Sequence, residues 1–244
     1  MSFIYPDTGI QALSHVSFKI QKGNTLAIVG KTGSGKSTIA NLLLRLYDTT
    51  SGVIFIDKKN IREIDRGYLR EKTGYIPQDV FLFSDSILNN ISFGIEKNSD
   101  TFRLAEQAAK DASIYENIME FPHQFNTLIG ERGVTLSGGQ KQRVSIARAI
   151  IKNPKMLIFD DCLSAVDTQT EENILRSLKK VTKDKTVIII SHRISSVKHA
   201  DRILVLEHGV VLQQGTHDEL LAQGGFYRRM VELQLLEEQA QASN

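Results

Sequence analysis

Thr25-Leu26-Ala27-Ile28-Val29-Gly30-Lys31-Thr32-Gly33-Ser34-Gly35-Lys36-Ser37-Thr38 is the stretch that decides the fold. Its first five residues form a short apolar run and read as a buried strand. From Lys36 onward Ile39, Leu42, Leu43 and Leu46 recur at helical spacing, which predicts a helix over 36–46. Between strand and helix, Gly30–Ser37 fits the pattern G-x-x-x-x-G-K-[ST], and this is the context that the pattern needs. The glycines let backbone N–H groups turn inward without side chains in the way. The following helix points its partially positive N-terminus at the same place. The stretch therefore reads as a cradle for phosphates. Lys36 is placed to reach the β- and γ-phosphates of a nucleotide and Ser37 to set a hydroxyl on Mg²⁺. Gly30, Lys31, Thr32, Gly33, Ser34, Gly35 and Thr38 complete the expected nucleotide-binding set.

Working outward, Lys155-Met156-Leu157-Ile158-Phe159 is a second buried-strand pattern, ending at Asp160 and Asp161. A third, Thr186-Val187-Ile188-Ile189-Ile190, ends at Ser191 and His192. Alternation with helical segments such as 170–180 predicts an α/β fold, a mostly parallel sheet of the P-loop NTPase kind with helices on both faces. A carboxylate at Asp160 would face the Mg²⁺ beside Ser37. Residues 84–152 read as mostly helical, clearest over 101–111 and 137–152, and are expected to form an inserted helical subdomain. Residues 1–83 and 153–244 are then the catalytic core, which includes an antiparallel β subdomain. Phe226, Met230, Leu233 and Leu236 fall on one helical face, so 225–240 is predicted to dock as a terminal helix.

Composition narrows the classes. With 244 residues the chain can bury a full core, and 41% hydrophobic and 24% charged residues are ordinary for a globular protein. The net charge of +2 is too small for a nucleic-acid grip through many phosphate contacts. One cysteine, Cys162, excludes an internal disulfide and reads as a buried inert thiol. No apolar run approaches the ~18 residues of a membrane span.

A second glycine signature, Leu136-Ser137-Gly138-Gly139-Gln140, opens a helical segment about a hundred residues after the first. Ser137, Gly138 and Gly139 offer a hydroxyl, small-residue N–H groups and a helix N-terminus, a second anion cradle. With both signatures in this order, the chain resembles the nucleotide-binding domain of an ATP-binding cassette (ABC) transporter nearly end to end. Other stretches agree with the resemblance. Gln78 in Tyr75-Ile76-Pro77-Gln78-Asp79 stands at the Q-loop glutamine, which touches Mg²⁺ and the attacking water. Asp167 in Ser164-Ala165-Val166-Asp167 stands at the D-loop, His192 at the switch histidine that meets the γ-phosphate, and Tyr5 at the aromatic residue that stacks on adenine. Gly130-Glu131-Arg132-Gly133, Phe81-Leu82-Phe83-Ser84 and Asn89-Asn90-Ile91-Ser92 resemble the exporter branch.

The resemblance implies an ATPase in which two nucleotide-binding domains, identical or different, close over two Mg-ATP. The signature of each, Ser137 to Gln140 here, covers the γ-phosphate held by the other. It implies transmembrane domains as partners and a place at the cytoplasmic face of the cell membrane. Because Met1 lies only four residues before Tyr5, the chain is expected to be a domain excised from a longer protein. One position departs from the pattern. The residue after Asp160 is usually Glu, the base for the attacking water, and here it is Asp161, shorter by about 1.5 Å, one C–C bond. Two readings follow. Either Asp161, with Lys36, Gln78 and His192, supports ordinary turnover, or the site is a slow, ATP-gated dimerisation site of a heterodimeric exporter.

Overall fold

The strand Thr25–Val29 lies between two parallel neighbours, and this explains its unbroken apolar sequence. The computed structural model describes residues 1–130, 133–162, 174 and 181–242. They form two compact units, one of Met1–Arg70 with Thr186–Asn244 and one of Glu71–Lys185.

In the first unit, short strands β1 (Phe3–Ile4) and β2 (Gln11–Leu13) pair antiparallel, followed by β3 (Thr25–Val29), and β4 (Phe55–Ile56) with β5 (Lys59–Asn60) makes a second antiparallel pair. Strand β3 pairs in parallel with Thr186–Ile190 on one side, Ile28 opposite Ile190, and with Arg202–Glu207 on the other, Val29 opposite Val205. Val210–Gly215 adds an antiparallel edge to Arg202–Glu207. Leu26, Ala27, Ile28 and Val29 are all buried, as a strand covered on both faces must be. Helix α1 (Lys36–Leu43) follows the glycine loop and ends before Leu46, three residues short of the sequence expectation. The chain turns left-handed at Arg45 (φ 52°), whose guanidinium bonds the Ile64 carbonyl at 2.9 Å and pairs with Asp48. Leu46 is left exposed.

The second unit is built on β6 (Thr73–Ile76) and β7 (Met156–Asp160), parallel with Ile76 opposite Phe159. Among the described residues its other elements are helical: α3 (Ile87–Ile91), α4 (Thr101–Asp111), α5 (Tyr115–Met119) and α6 (Gly138–Ile150); α2 (Arg66–Glu71) lies in the first unit but for its last residue. A side chain at Gly74 would stand 2.9 Å from the Ala149 carbonyl, so α6 approaches β6 closely only because that residue lacks one. Of the helix expected at 170–180, only Ile174 is described, helical and buried.

Returning to the first unit, α7 (Ile194–Val197), α8 (His217–Gln223) and α9 (Phe226–Ala242) complete it; strands Thr186–Ile190, Arg202–Glu207 and Val210–Gly215 are β8, β9 and β10. Helix α9 docks, and of the anticipated stripe Phe226 and Met230 pack on the core while Leu233 and Leu236 do not. Tyr227 is fully buried among Ala27, Val29, Val205 and Leu220, with Met230 and Val231 beside it. Leu233 and Leu236 remain 55% and 61% exposed. The Tyr227 hydroxyl meets His217 Nδ1 at 2.8 Å, so an aromatic ring with a satisfied polar tip anchors the helix and sets its rotation.

Candidate nucleotide-binding site

Parallel strands in register deliver their carboxyl ends to one edge, and in α/β sheets ligands bind outside that edge. In the first unit Gly30 follows β3 and His192 follows β8, and the Ser191 N–H bonds the Ile28 carbonyl at 3.2 Å. The sheet therefore brings the glycine loop and His192 to the same side. The His192 side chain is exposed there.

The loop's shape depends on its glycines. Gly30 (φ 153°), Gly33 (φ 79°) and Gly35 (φ 98°) all take conformations that disfavour side chains. A Cβ at Gly30 would stand 2.1 Å from the Leu206 carbonyl oxygen, so that position is closed by the fold itself. At Gly33 a Cβ would meet nothing within 4 Å, so that position opens outward. The Lys36 ammonium donates to the carbonyls of Gly30 and Lys31, at 2.8 and 2.9 Å, and lies curled over the loop. The Ser34 hydroxyl, in a residue only 4% exposed, has no hydrogen-bond partner. It faces the packed side of the loop, 2.8 Å from where a Cβ at Gly30 would stand. Ser37 and Thr38 begin α1, and the Thr38 hydroxyl lies 3.0 Å from that of Tyr5. The Tyr5 ring packs edge-on against Phe3 and Tyr47. Lys31 lies 3.9 Å from Glu207, with its ammonium 5.6 Å from the centroid of the Phe226 ring. Thr32 is exposed on the loop.

In the second unit, the register of β6 with β7 brings Gln78, two residues past Ile76, to the same edge as Asp160 and Asp161. Asp160 is buried and accepts from the Tyr75 hydroxyl at 3.1 Å. Burial, and secondly the nearby Asp160 charge, push the Tyr75 hydroxyl far above its ordinary pKa, so it remains a donor to that carboxylate. Asp161 is held left-handed at φ 49°, a region that Asp enters more readily than most side chains. Ser137 caps α6 in a capping box. Its hydroxyl accepts from the Gln140 N–H, and the Gln140 side chain accepts from the Ser137 N–H at 2.9 Å. Gln140 is thus engaged in shaping the helix start, while a Cβ at Gly138 would face open space.

Three residues that the sequence reading passed over support these groups. Gln142, fully buried in α6, donates to the Gln78 carbonyl at 3.1 Å and so ties the signature helix to the glutamine. Arg148 bonds the Phe81 carbonyl (2.8 Å), the Asn90 carbonyl (2.8 Å) and Asn90 Oδ1 (2.7 Å), beneath the Phe83 and Phe93 rings. Gln234 of α9 bonds the main chain around His192. Asp167, Glu131 and Arg132 lie outside the described residues.

The family model described as "ABC transporter" matches residues 13–164. The chain belongs to the ABC transporter family. It is 45% identical over 242 residues to heavy metal tolerance factor 1 of Caenorhabditis elegans, covering 99% of this chain and 30% of that protein. It is 44% identical over 235 residues to the ATP-dependent lipid A-core flippase of Pasteurella multocida, covering 96% and 40%. Among solved structures, a bacterial Atm1-family ABC exporter with ATP bound superposes with a TM-score of 0.90 at 42% identity, over 96% of this chain and 42% of that one. The chain thus spans between 30% and 42% of the length of these relatives. The P-loop fold, a mostly parallel sheet with helices, agrees with the family. Among the described residues no helix is long and apolar enough to cross a membrane, and no group of three or more His, Cys, Asp or Glu could hold a metal ion.

Proposed function

We propose that this ABC transporter domain binds and hydrolyses ATP for an exporter, at the cytoplasmic face of the cell membrane. Its partners are a second nucleotide-binding domain and transmembrane domains. The observation that carries the reading is the loop at 30–37, closed by the fold at Gly30, open at Gly33, and holding the Lys36 ammonium against its carbonyls.

In this reading the loop N–H groups, Ser34 and Lys36 bind the phosphates, Lys36 exchanging its carbonyl partners for phosphate oxygens. Tyr5 orients the base. Ser37, Asp160 and Gln78 offer a hydroxyl, a carboxylate and an amide, hard oxygens suited to Mg²⁺, with Tyr75 fixing the Asp160 carboxylate. When bound, the metal neutralises charge on the β- and γ-phosphates. Asp161 accepts a proton from the water whose oxygen bonds the γ-phosphorus as the bond to the bridging oxygen breaks, leaving ADP and phosphate. His192 steadies the transferred group. Residues 137–140 cover the γ-phosphate of the partner domain, so loss of that phosphate opens the pair. Residues 84–152 carry that second cradle, and Asp167 meets the partner.

A second reading has support from one observation. Asp161 carries its carboxylate one methylene short of the usual Glu, and a base that stops short of the water makes a slow site, one that works by ATP-gated dimerisation. Steady-state turnover beside Asp161→Glu separates the two. A tenfold gain on lengthening the carboxylate selects the slow site. An equal or lower rate selects a pocket fitted to aspartate, and wild-type turnover at background refutes the hydrolytic reading.

A further inference from the structure

One side chain of the C-terminal helix grips the main chain that carries His192. Gln234 is half-buried and lies on the docking face of α9, seven residues after Tyr227, with Met230 and Val231 between them. Its Oε1 accepts the Ile194 N–H at 2.8 Å, and its Nε2 donates to the His192 carbonyl. One amide thus satisfies a donor and an acceptor two residues apart, as a neighbouring strand would. Among side chains only an amide of Asn or Gln offers both functions in that fork.

The position matters because the main chain that Gln234 holds carries the exposed side chain of His192. Upstream, Ser191 is tied to Ile28 by its N–H, and its hydroxyl accepts the Arg193 N–H at 3.0 Å. Downstream, α7 begins at Ile194 with no side-chain cap from Arg193, so its first N–H groups have no partner within the helix. Gln234 supplies that cap from another helix and holds the His192 carbonyl with the same group. At its other end α9 places Phe226 against Lys31 of the glycine loop, so one helix touches both loops.

We infer that Gln234 is a positioning residue for His192, setting the imidazole through its backbone without touching a reacting atom. The inference rests on the reading of this chain as an ATP-hydrolysing domain in which His192 meets the γ-phosphate.

The test compares Gln234→Leu, which keeps the volume and removes both bonds, with Gln234→Glu, which keeps the acceptor for Ile194 but sets an oxygen against the His192 carbonyl. Both variants lower kcat about tenfold, within the ~10² that a misplacement of ~1 Å can cost, while KM for Mg-ATP stays within twofold. In a His192→Ala background, followed by single-turnover release of labelled phosphate, Gln234→Leu causes no further loss. A residue that merely stabilises the fold would lower the rate in both backgrounds alike. Independently, amide hydrogen exchange at Ile194 rises tenfold or more in Gln234→Leu and stays slow in Gln234→Glu. Equal losses in both backgrounds, an unchanged kcat, or unchanged exchange at Ile194 overturns the inference. Wild-type turnover at background would instead refute the hydrolytic reading, and the exchange experiment would still decide whether Gln234 grips this loop.

Discussion

Two glycines of one loop should fail in opposite ways when replaced by alanine, because one faces the protein and the other faces outward. At Gly30 the added Cβ would sit 2.1 Å from the Leu206 carbonyl oxygen and 2.8 Å from the Ser34 hydroxyl. Ordinary carbon–oxygen contact lies beyond 3 Å, so the end of β3 or of β9 must move by about 1 Å in the centre of the sheet. Overpacking of this kind costs about 1–3 kcal/mol, and a clash with backbone in a two-sided sheet belongs at the top of that range or above it. At Gly33 the Cβ would meet nothing, and only the left-handed backbone (φ 79°) is penalised, by about 1–2 kcal/mol. The Cβ would, however, occupy the space that the bound phosphates need. Urea unfolding should therefore rank wild type, Gly33→Ala and Gly30→Ala in falling stability. Titration with a fluorescent ATP analogue should show that Gly33→Ala, though folded, binds at least tenfold more weakly, about 1.4 kcal/mol. Wild-type affinity in Gly33→Ala would refute the cradle, and a wild-type urea midpoint in Gly30→Ala would refute the packing argument behind it.

Other consequences are as direct. Arg148→Met removes three bonds from a guanidinium whose burial depresses its pKa and leaves the Phe81 carbonyl and two Asn90 acceptors without it; it should destabilise the chain by about 3–5 kcal/mol in urea unfolding, with Arg148→Lys in between. Tyr227 has its pKa raised from 10.0, pushed up to about 12 by burial; the neutral form is the one that the fold favours, so its contribution is complete below pH 10 and is lost as pH rises through 12. Tyr227→Phe should flatten the fall in thermal midpoint across that window, and an unchanged slope would show that other groups cause it. Tyr75→Phe should leave Asp160 less well held and weaken Mg²⁺-dependent more than Mg²⁺-free nucleotide binding, measured by the same fluorescence titration with and without EDTA.

What the sequence showed, and what it did not, follows the range of the interactions involved. The loop at 30–37 was legible because strand, glycines and helix are local and each imposes its own pattern. The early end of α1 was not, since the left-handed turn at Arg45 is fixed by a bond to the Ile64 carbonyl, nineteen residues away. The docking face of α9 was legible at Phe226 and Met230 but not beyond, because the stripe ran on through Leu233 and Leu236 and left out Tyr227, whose hydroxyl is satisfied by His217. Gln142, Arg148 and Gln234 could not have been picked out at all. A glutamine or arginine on a helix carries no sign of which distant carbonyl it will bond, and only the fold brings Gln234 to His192 across forty-two residues.

The central claim, that this chain cleaves ATP on the loop at 30–37, is tested most directly by phosphate release at saturating Mg-ATP from wild type beside Lys36→Ala. The account predicts turnover above background in the wild type and its loss in the variant, with both proteins unfolding at closely similar urea concentrations. Equal phosphate release from the two folded proteins would contradict it.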